Sequence, residues 1–361
     1  KRESIGSGDG SDLKYQQATE IASHLRGREV IVIDSVNSGT GRSEKNDIYK
    51  DLALPFLKDL DIAHQHLKTE SSTSISQIAS SWKAEDAVVL FISGDTLINE
   101  FINGLNETTK HNSKITLFHI PAGTGNSLSL SLGIFTVVDS LHRLLNPVEV
   151  VKFNLYEAKF PTGSYLTHQE QKTNPVEILK FAVVLSWGFH ASLVADSDTP
   201  ELRKHGIKRF AIAAQANLAD EQKYLGNVIL KDGTIEGPFA YLVFSPAKRF
   251  ETAFEILPSG DIRNDQLWLV AFNTEENNKD YVMEIMKEVY DLGSHVKDDR
   301  VIYKSFGRGE KIQLDVANDN PKNRRRFCLD GSIIEVPDGA QEIIIESVGN
   351  EHQGWEIFLI T

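Results

Sequence analysis

The sequence predicts an α/β protein, with an N-terminal doubly wound parallel sheet domain followed by a C-terminal, mainly antiparallel β-sandwich domain with helices. Three observations predict it. Strand-like and helix-like stretches alternate up to Asn146-Pro147. Short β-branched or aromatic runs with few helical patterns follow. The chain has 361 residues, which is long for one compact core and argues for two domains. The expected divisions are a flexible segment over 1–26, an α/β domain over 27–147 and a β-rich domain over 148–361.

The N-terminal segment is rich in Gly, Ser and charge at its start, which favours disorder. Glu29 to Asp34 (EVIVID) reads as a buried strand, and Ser35 to Gly41 (SVNSGTG) as the turn after it. Arg42 to Asp47 offers no apolar face for a helix, whereas Tyr49 to Leu57 has helical spacing that Pro55 ends or kinks. Asp61 to Leu67 is the candidate second strand. Ser74 to Trp82 is a helix with Ser74 as its N-cap. Asp86 to Ile92 (DAVVLFI) carries the strongest strand signal of this half. A turn at Ser93-Gly94-Asp95 leads into a helix over Thr96 to Leu105. Lys114 to Ile120 is a strand that ends at Pro121-Ala122-Gly123-Thr124-Gly125-Asn126, before another helix. This order implies a parallel sheet with helices on both faces.

In the second half, strands are expected over Val148 to Phe160, Ile178 to Trp187, Asn227 to Lys231, Phe239 to Phe244, Leu267 to Phe272, Ile312 to Val316, Ile333 to Val336 and Glu342 to Ser347. Helical spacing interrupts them at Lys208 to Leu218 and Asp280 to Tyr290. Thr167 to Asn174 is polar and reads as an exposed hairpin loop.

Composition narrows the function classes. With 38 Lys and Arg against 51 Asp and Glu, the formal charge is −13, which argues against a general nucleic-acid binder. Asn323-Arg324-Arg325-Arg326 is the one short basic candidate, against the plainer reading of a solvated turn. Cys328 is the single cysteine, so no intrachain disulfide forms, in keeping with a reducing compartment. No run of about 18 or more apolar residues occurs, so no membrane-spanning helix is expected and any membrane contact is peripheral. The chain begins at Lys1 rather than Met, which leaves a preceding targeting segment open.

Three glycine-containing turns follow the three best strands of the first half. In a doubly wound sheet such turns line the carboxyl edge, where ligands bind and backbone amides suit phosphate oxygens. Each turn alone is equally a plain tight turn. No GxxxxGK[ST] element is present, and no complete GxGxxG follows the first strand. His64 and His66 alternate on one face of a possible strand as two metal ligands would, but no third ligand is evident and packed histidines are the ordinary reading. Trp82, Trp187, Trp268 and Trp355 read as core or interface aromatics.

The ordered set of turns resembles the diacylglycerol kinase catalytic-domain superfamily, and within it the sphingosine and ceramide kinases. Ser93-Gly94-Asp95-Thr96-Leu97-Ile98-Asn99-Glu100, running on to Asn103-Gly104-Leu105, resembles that family's "GGDGT-x-x-E-x-x-NGL" element. Pro121-Ala122-Gly123-Thr124-Gly125-Asn126 resembles "PxGTGN", and Ser38-Gly39-Thr40-Gly41 the turn "NPxSGxG". Trp187-Gly188-Phe189 through Asp196-Ser197-Asp198 to Arg203 resembles the segment after "GF", and Phe327-Cys328-Leu329-Asp330-Gly331 the late "VDGE" element.

The resemblance implies an ATP- and Mg²⁺-dependent lipid kinase, cytoplasmic and peripherally membrane-associated, with a nucleotide-binding first domain and a lipid-binding second one. A homodimer is left open. Asp95 is implied as the general base for the lipid hydroxyl; its plainer reading is a cap for the following helix. Asn37, Ser38, Gly39, Thr40, Gly41, Thr69, Ser93, Gly94, Thr96, Glu100, Gly123, Thr124, Gly125 and Asn126 are implied around the nucleotide. Arg203 and Arg209 are implied to neutralise phosphate, or are exposed helix charges. Asp330 and Gly331 are implied beside the nucleotide, with Asp330 facing Mg²⁺, or form an ordinary Asp-Gly hairpin turn.

Departures from the pattern bear on activity and substrate. Thr96 stands where the family has Gly; were φ positive there, a β-branched residue would cost about 1–2 kcal/mol. Ser332 replaces the acid of "VDGE", and Ser35-Val36 replace "NP". The acids that suit a cationic amino-alcohol correspond here to Ser192 and Val194, leaving Asp196 and Asp198 as candidate replacements around the substrate. A sphingolipid, as long-chain base or ceramide, is the favoured substrate class. A pseudokinase that binds nucleotide or lipid as a regulator is the alternative, and a kinase of a soluble substrate is a third reading.

Overall fold

The computed structural model describes residues 21–36, 47–71, 73–110, 113–146, 149–168, 171–206, 208–276, 278 and 280–361. The turn residues Asn37, Ser38, Gly39, Thr40 and Gly41 lie outside them, as does most of the expected flexible segment. Residues 21–26 do not belong to such a segment: Ala22 and Leu25 are each 1% exposed and pack into the core.

Four parallel strands build the first sheet: β1 (Glu29–Ser35), β2 (His64–Thr69), β3 (Asp86–Ser93) and β4 (Lys114–Pro121), in the order β2-β1-β3-β4. β1, β3 and β4 are buried on both faces, which is why they read as continuous apolar runs rather than alternating ones. Helices α1 (Leu54–Asp59) and α2 (Ser74–Ser80) precede α3 (Asp95–Gly104), α4 (Ser127–Ser131) and α5 (Val137–Leu145). Apolar residues of α2 and α3 pack on one face of the sheet, and those of α1 and α5 on the other, the doubly wound arrangement. The helical run is continuous from a π-helix over Tyr49–Ala53 into α1, so Pro55 does not end it but follows the change of helical register at Leu54. Ser74 lies inside α2, after the N-cap Thr73; its hydroxyl accepts from the N–H groups of Glu70 and Ser71.

Among the described residues the second domain is built from two antiparallel sheets. One has eight strands and carries Leu185–Gly188 between Phe239–Ser245 and Arg326–Leu329. The other has six, with Lys311–Val316 and Gln341–Gly349 at its centre. Their inner faces enclose a core of Trp187, Phe239, Phe244, Phe327 and Leu314. Among the described residues no helix is long and apolar enough to cross a membrane.

The boundary expected at residue 147/148 needs one amendment. The last strand, Trp355–Ile360, pairs in parallel with β4, and Val150–Lys152 pairs with that last strand, so the first sheet is completed from the far end of the chain. A further core joins the two halves directly, with Ile31, Val89 and Leu117 in one cluster with Val184, Ala240 and Tyr241. Elements near the carboxyl edge of the first sheet are therefore held against the second domain by continuous packing.

The basic run Arg324-Arg325-Arg326 is turned inward. Arg324 donates to the carbonyls of Lys223 and Glu221, and Arg326 pairs with Asp196. Arg325 is 1% exposed and donates to the carbonyls of Asn320, Pro337, Ala317 and Asn318. The run is bonded within the protein rather than forming the solvated turn of the plainer reading.

Candidate active site

The two glycine turns after β3 and β4 meet at the carboxyl edge of the sheet. The Ser93 carbonyl accepts the N–H groups of both Ala122 and Gly123, binding the second turn to the end of β3. Asn126 clasps its own turn, accepting from the Gly123 N–H and donating to the Gly123 carbonyl, each at 2.9 Å. Ser93 thus shapes the loops through its backbone carbonyl and Asn126 through its side-chain amide. Thr69, 4% exposed, closes the edge beside Ser35.

Gly94 and Gly123 are glycines for a reason internal to the protein. A Cβ on Gly123 would lie 2.5 Å from the Gly94 Cα, so the two turns touch backbone to backbone. A Cβ on Gly125 would meet nothing within 4 Å, and its φ is not in the left-handed region. Open space therefore lies over Gly125, beside Thr124. Gly123→Ala is expected to destabilise the fold by about 1–3 kcal/mol through overpacking. Gly125→Ala is expected to unfold within about 0.5 kcal/mol of the wild type. A tenfold or greater loss of nucleotide affinity in Gly125→Ala, read by calorimetry, would mark that space as the nucleotide's.

Asp95 opens α3 but caps a different helix. Its Oδ2 accepts the Ser127 N–H at 2.6 Å and its Oδ1 the Leu128 N–H at 3.2 Å, both at the start of α4. The carboxylate is 10% exposed, and burial pushes its carboxyl up to about 7, against the amide bonds that pull it down. The same side chain lies 3.6 Å from Nδ1 of His119, on β4. His119 escaped notice in the sequence, although a lone imidazole in the buried strand KITLFHIP was the signal that could have found it.

Thr96 has an ordinary helical backbone, so the strain weighed for a positive φ does not arise. Its Oγ1 would stand 2.1 Å from a Cβ placed on Gly331, so the threonine fills the space against the Asp330-Gly331 turn. That turn joins Arg326–Leu329 to Ser332–Glu335 with φ of 46° and 92°, the two-residue hairpin that Asp-Gly favours. Asp330 is 3% exposed. Its Oδ2 accepts from the Ala182 N–H and the Asn99 amide, and its Oδ1 from the Val183 and Val184 N–H groups. The carboxylate implied as a metal ligand is instead occupied by four donors that tie α3 to the second domain. Among the described residues no three His, Cys, Asp or Glu converge on a metal site. Burial, together with the nearby Asp95 charge, pushes the Asp330 carboxyl up to about 7.

Residues 29–157 match the family model of the diacylglycerol kinase catalytic domain. This match covers well under half of the chain. Sphingosine kinase B of Dictyostelium discoideum is 38% identical over 104 residues, which cover 27% of this chain and 13% of that protein. The match therefore spans well under two thirds of the curated relative's length. A diacylglycerol kinase crystal structure from Bacillus anthracis str. Sterne aligns over 92% of this chain and 96% of its own, with a TM-score of 0.57 and 12% identity. A second structure from that strain aligns over the same shares, with a TM-score of 0.61 and 13% identity. Both share the fold, in both domains.

Among the implied site residues, the structure brings together Asp95, Thr96, the turns at Gly94 and at Gly123–Asn126, and Gly331. Glu100 lies on the exposed side of α3. Arg203 and Arg209 are drawn together by Asp198, which stands 2.6 Å from the first and 3.6 Å from the second. Ser192 is bonded to the Tyr224 hydroxyl at 2.6 Å, and Asp196 to Arg326 and Asn217. Asp198, Arg203 and Arg209 form one polar cluster, and Ser192, Tyr224, Asp196, Arg326 and Asn217 form another. His64 and His66 are packed by Tyr49, through its hydroxyl and its ring face respectively. Cys328 is buried, its thiol pushed up to about 12, which leaves it inert as a nucleophile.

Proposed function

We propose that the chain is an ATP-dependent lipid kinase that transfers the γ-phosphoryl group to a lipid hydroxyl. One observation carries this reading: a nearly buried carboxylate, Asp95, poised at about 7, at the joint of two backbone turns beside the open space over Gly125. A base with its midpoint near working pH is suited to take an alcohol proton. In the transfer the alcohol oxygen bonds to the γ-phosphorus, the bond to the bridging oxygen of ADP breaks with its electron pair leaving on ADP, and the alcohol proton passes to Asp95. The turns would hold and orient the triphosphate through backbone N–H groups. Mg²⁺ ordinarily accompanies ATP, but the described residues do not build a site for it, and no step here depends on one.

A sphingolipid acceptor is the favoured class, and within it a neutral, ceramide-like headgroup. Asp196 and Asp198 already face arginines, so neither offers a free carboxylate to the amine of a long-chain base. A peripheral membrane contact follows if the acceptor is a bilayer lipid. Purified protein with Mg-ATP and separate vesicles of ceramide, sphingosine and diacylglycerol tests the proposal. Transfer to ceramide above the others is the expected result, and no transfer to any of the three overturns it. A nucleotide-binding pseudokinase is favoured by one feature, Thr96 filling the space against Gly331. Calorimetric binding of ATP without transfer, with transfer appearing in Thr96→Gly, would establish that reading.

A further inference from the structure

His119 is 1% exposed and sits on β4 between Phe118 and Ile120, which face α1 and α5. Strand alternation turns the imidazole to the opposite side, the side of Leu117 and α3. Its Nε2 lies 2.8 Å from the Ser93 carbonyl oxygen. That oxygen can only accept, so Nε2 carries the hydrogen. Nδ1 of a neutral ring is then a bare lone pair. It is buried without a hydrogen-bond partner and lies 3.6 Å from Oδ1 of Asp95. Burial pushes the ring's pKa down to about 4, which keeps it neutral through the working range.

A carboxylate oxygen and an imidazole lone pair repel, which fits their 3.6 Å separation, whereas one proton between them lets the two close to an O–H···N bond of about 2.7 Å. We propose that His119 is a positioning residue for Asp95, its Nδ1 accepting the hydrogen bond of the protonated carboxyl. Asp95 and His119 then act as one unit. The alcohol O–H bond breaks, an O–H bond forms on Oδ1, and that hydrogen is directed to Nδ1 until it leaves to water with the product. The imidazole itself stays neutral throughout. The groups facing the pair are the Ser127 and Leu128 amides and the Ser127 hydroxyl from α4, and Asp330 from the hairpin turn. Those donors hold the anion, and His119 supplies the interaction that the acid form needs. The catalytic part of this inference rests on the kinase reading; the coupling of the two side chains does not.

The test uses the full chain. In the wild type, a long-range proton–nitrogen spectrum with the His119 ring assigned through its own backbone is expected to show the hydrogen on Nε2 at neutral pH. The Nδ1 resonance is then expected to move as pH falls through about 7, when Asp95 takes its proton. A hydrogen on Nδ1, or an Nδ1 that does not respond, overturns the proposal. His119→Leu removes the Nδ1 acceptor without supplying another, while the Ser93 carbonyl keeps the N–H groups of Ala122 and Gly123. With carboxyl-labelled aspartate, its Asp95 midpoint is expected to fall by about 1 pH unit, and an unchanged midpoint counts against the coupling. Should the variant not fold, the wild-type spectrum decides. Absence of phosphoryl transfer by the wild type would instead sink the kinase reading and leave the spectra standing.

Discussion

Asp95→Asn is expected to lower phosphoryl transfer by about 10²–10⁴-fold while ATP affinity stays within about threefold, because the carboxylate meets the acceptor hydroxyl rather than the nucleotide. The fold should survive. The amide oxygen can still accept the Ser127 N–H, and the lost Leu128 bond costs about 1 kcal/mol. Initial rates with saturating ATP, alongside calorimetry, separate the two effects. Transfer at the wild-type rate would remove Asp95 from the chemistry. The same variant has a signature in pH. The Asp95 carboxyl is raised from 3.8 to about 7, so the folded state binds its proton more readily than the unfolded one. Its contribution to stability is therefore full below about pH 4 and is lost as pH rises to about 7. The stability difference between wild type and Asp95→Asn, from urea unfolding, is expected to shrink over that window by at most about 1.4 kcal/mol per pH unit. Activity runs the other way, rising through about pH 7 as the base loses its proton.

Asp330→Ala is expected to destabilise the protein more than any other single change in the site. It leaves the N–H groups of Ala182, Val183 and Val184 without their acceptor inside the protein, and takes one of the two acceptors of the Asn99 amide, which keeps the Lys180 carbonyl. Each buried orphan costs about 1–3 kcal/mol, so the total is on the order of 4 kcal/mol or more. Alanine also tolerates the φ of 46° poorly. Asp330→Asn keeps one accepting oxygen and a residue type at home in the left-handed region, so an intermediate loss is expected. Urea denaturation orders the three proteins. If Asp330→Asn were as stable as the wild type but bound Mg-ATP tenfold more weakly, the carboxylate would be a nucleotide or metal group after all.

The residues that carry these two effects were both legible as candidates, but the bonds they make were not. In Asp330 the plain reading of an Asp-Gly hairpin was right about the turn and silent about the four donors. Asp95 had been weighed as a cap for its own helix; it caps α4, from 32 residues away. Gly94 and Gly123 looked like a phosphate cradle, yet their missing Cβ atoms first allow two turns to touch.

By itself the sequence determined the parallel first sheet, the strand-rich second half and the order of the turns that resemble a diacylglycerol kinase catalytic domain, but it missed Val301–Gly307 and Trp355–Ile360 and read as a loop the stretch where Tyr165–His168 pairs with Gln171–Pro175. Those properties follow from local patterns, since β-branched runs buried on both faces and glycines after strands have the same meaning wherever the chain later goes. Only the tertiary structure decided that Trp355–Ile360 completes the first sheet, that Asp198 engages Arg203 and Arg209, and that His119 faces Asp95. Periodicity tells which side of an element is buried, but not which other element covers it, and a carboxylate's behaviour is set by whatever arrives there.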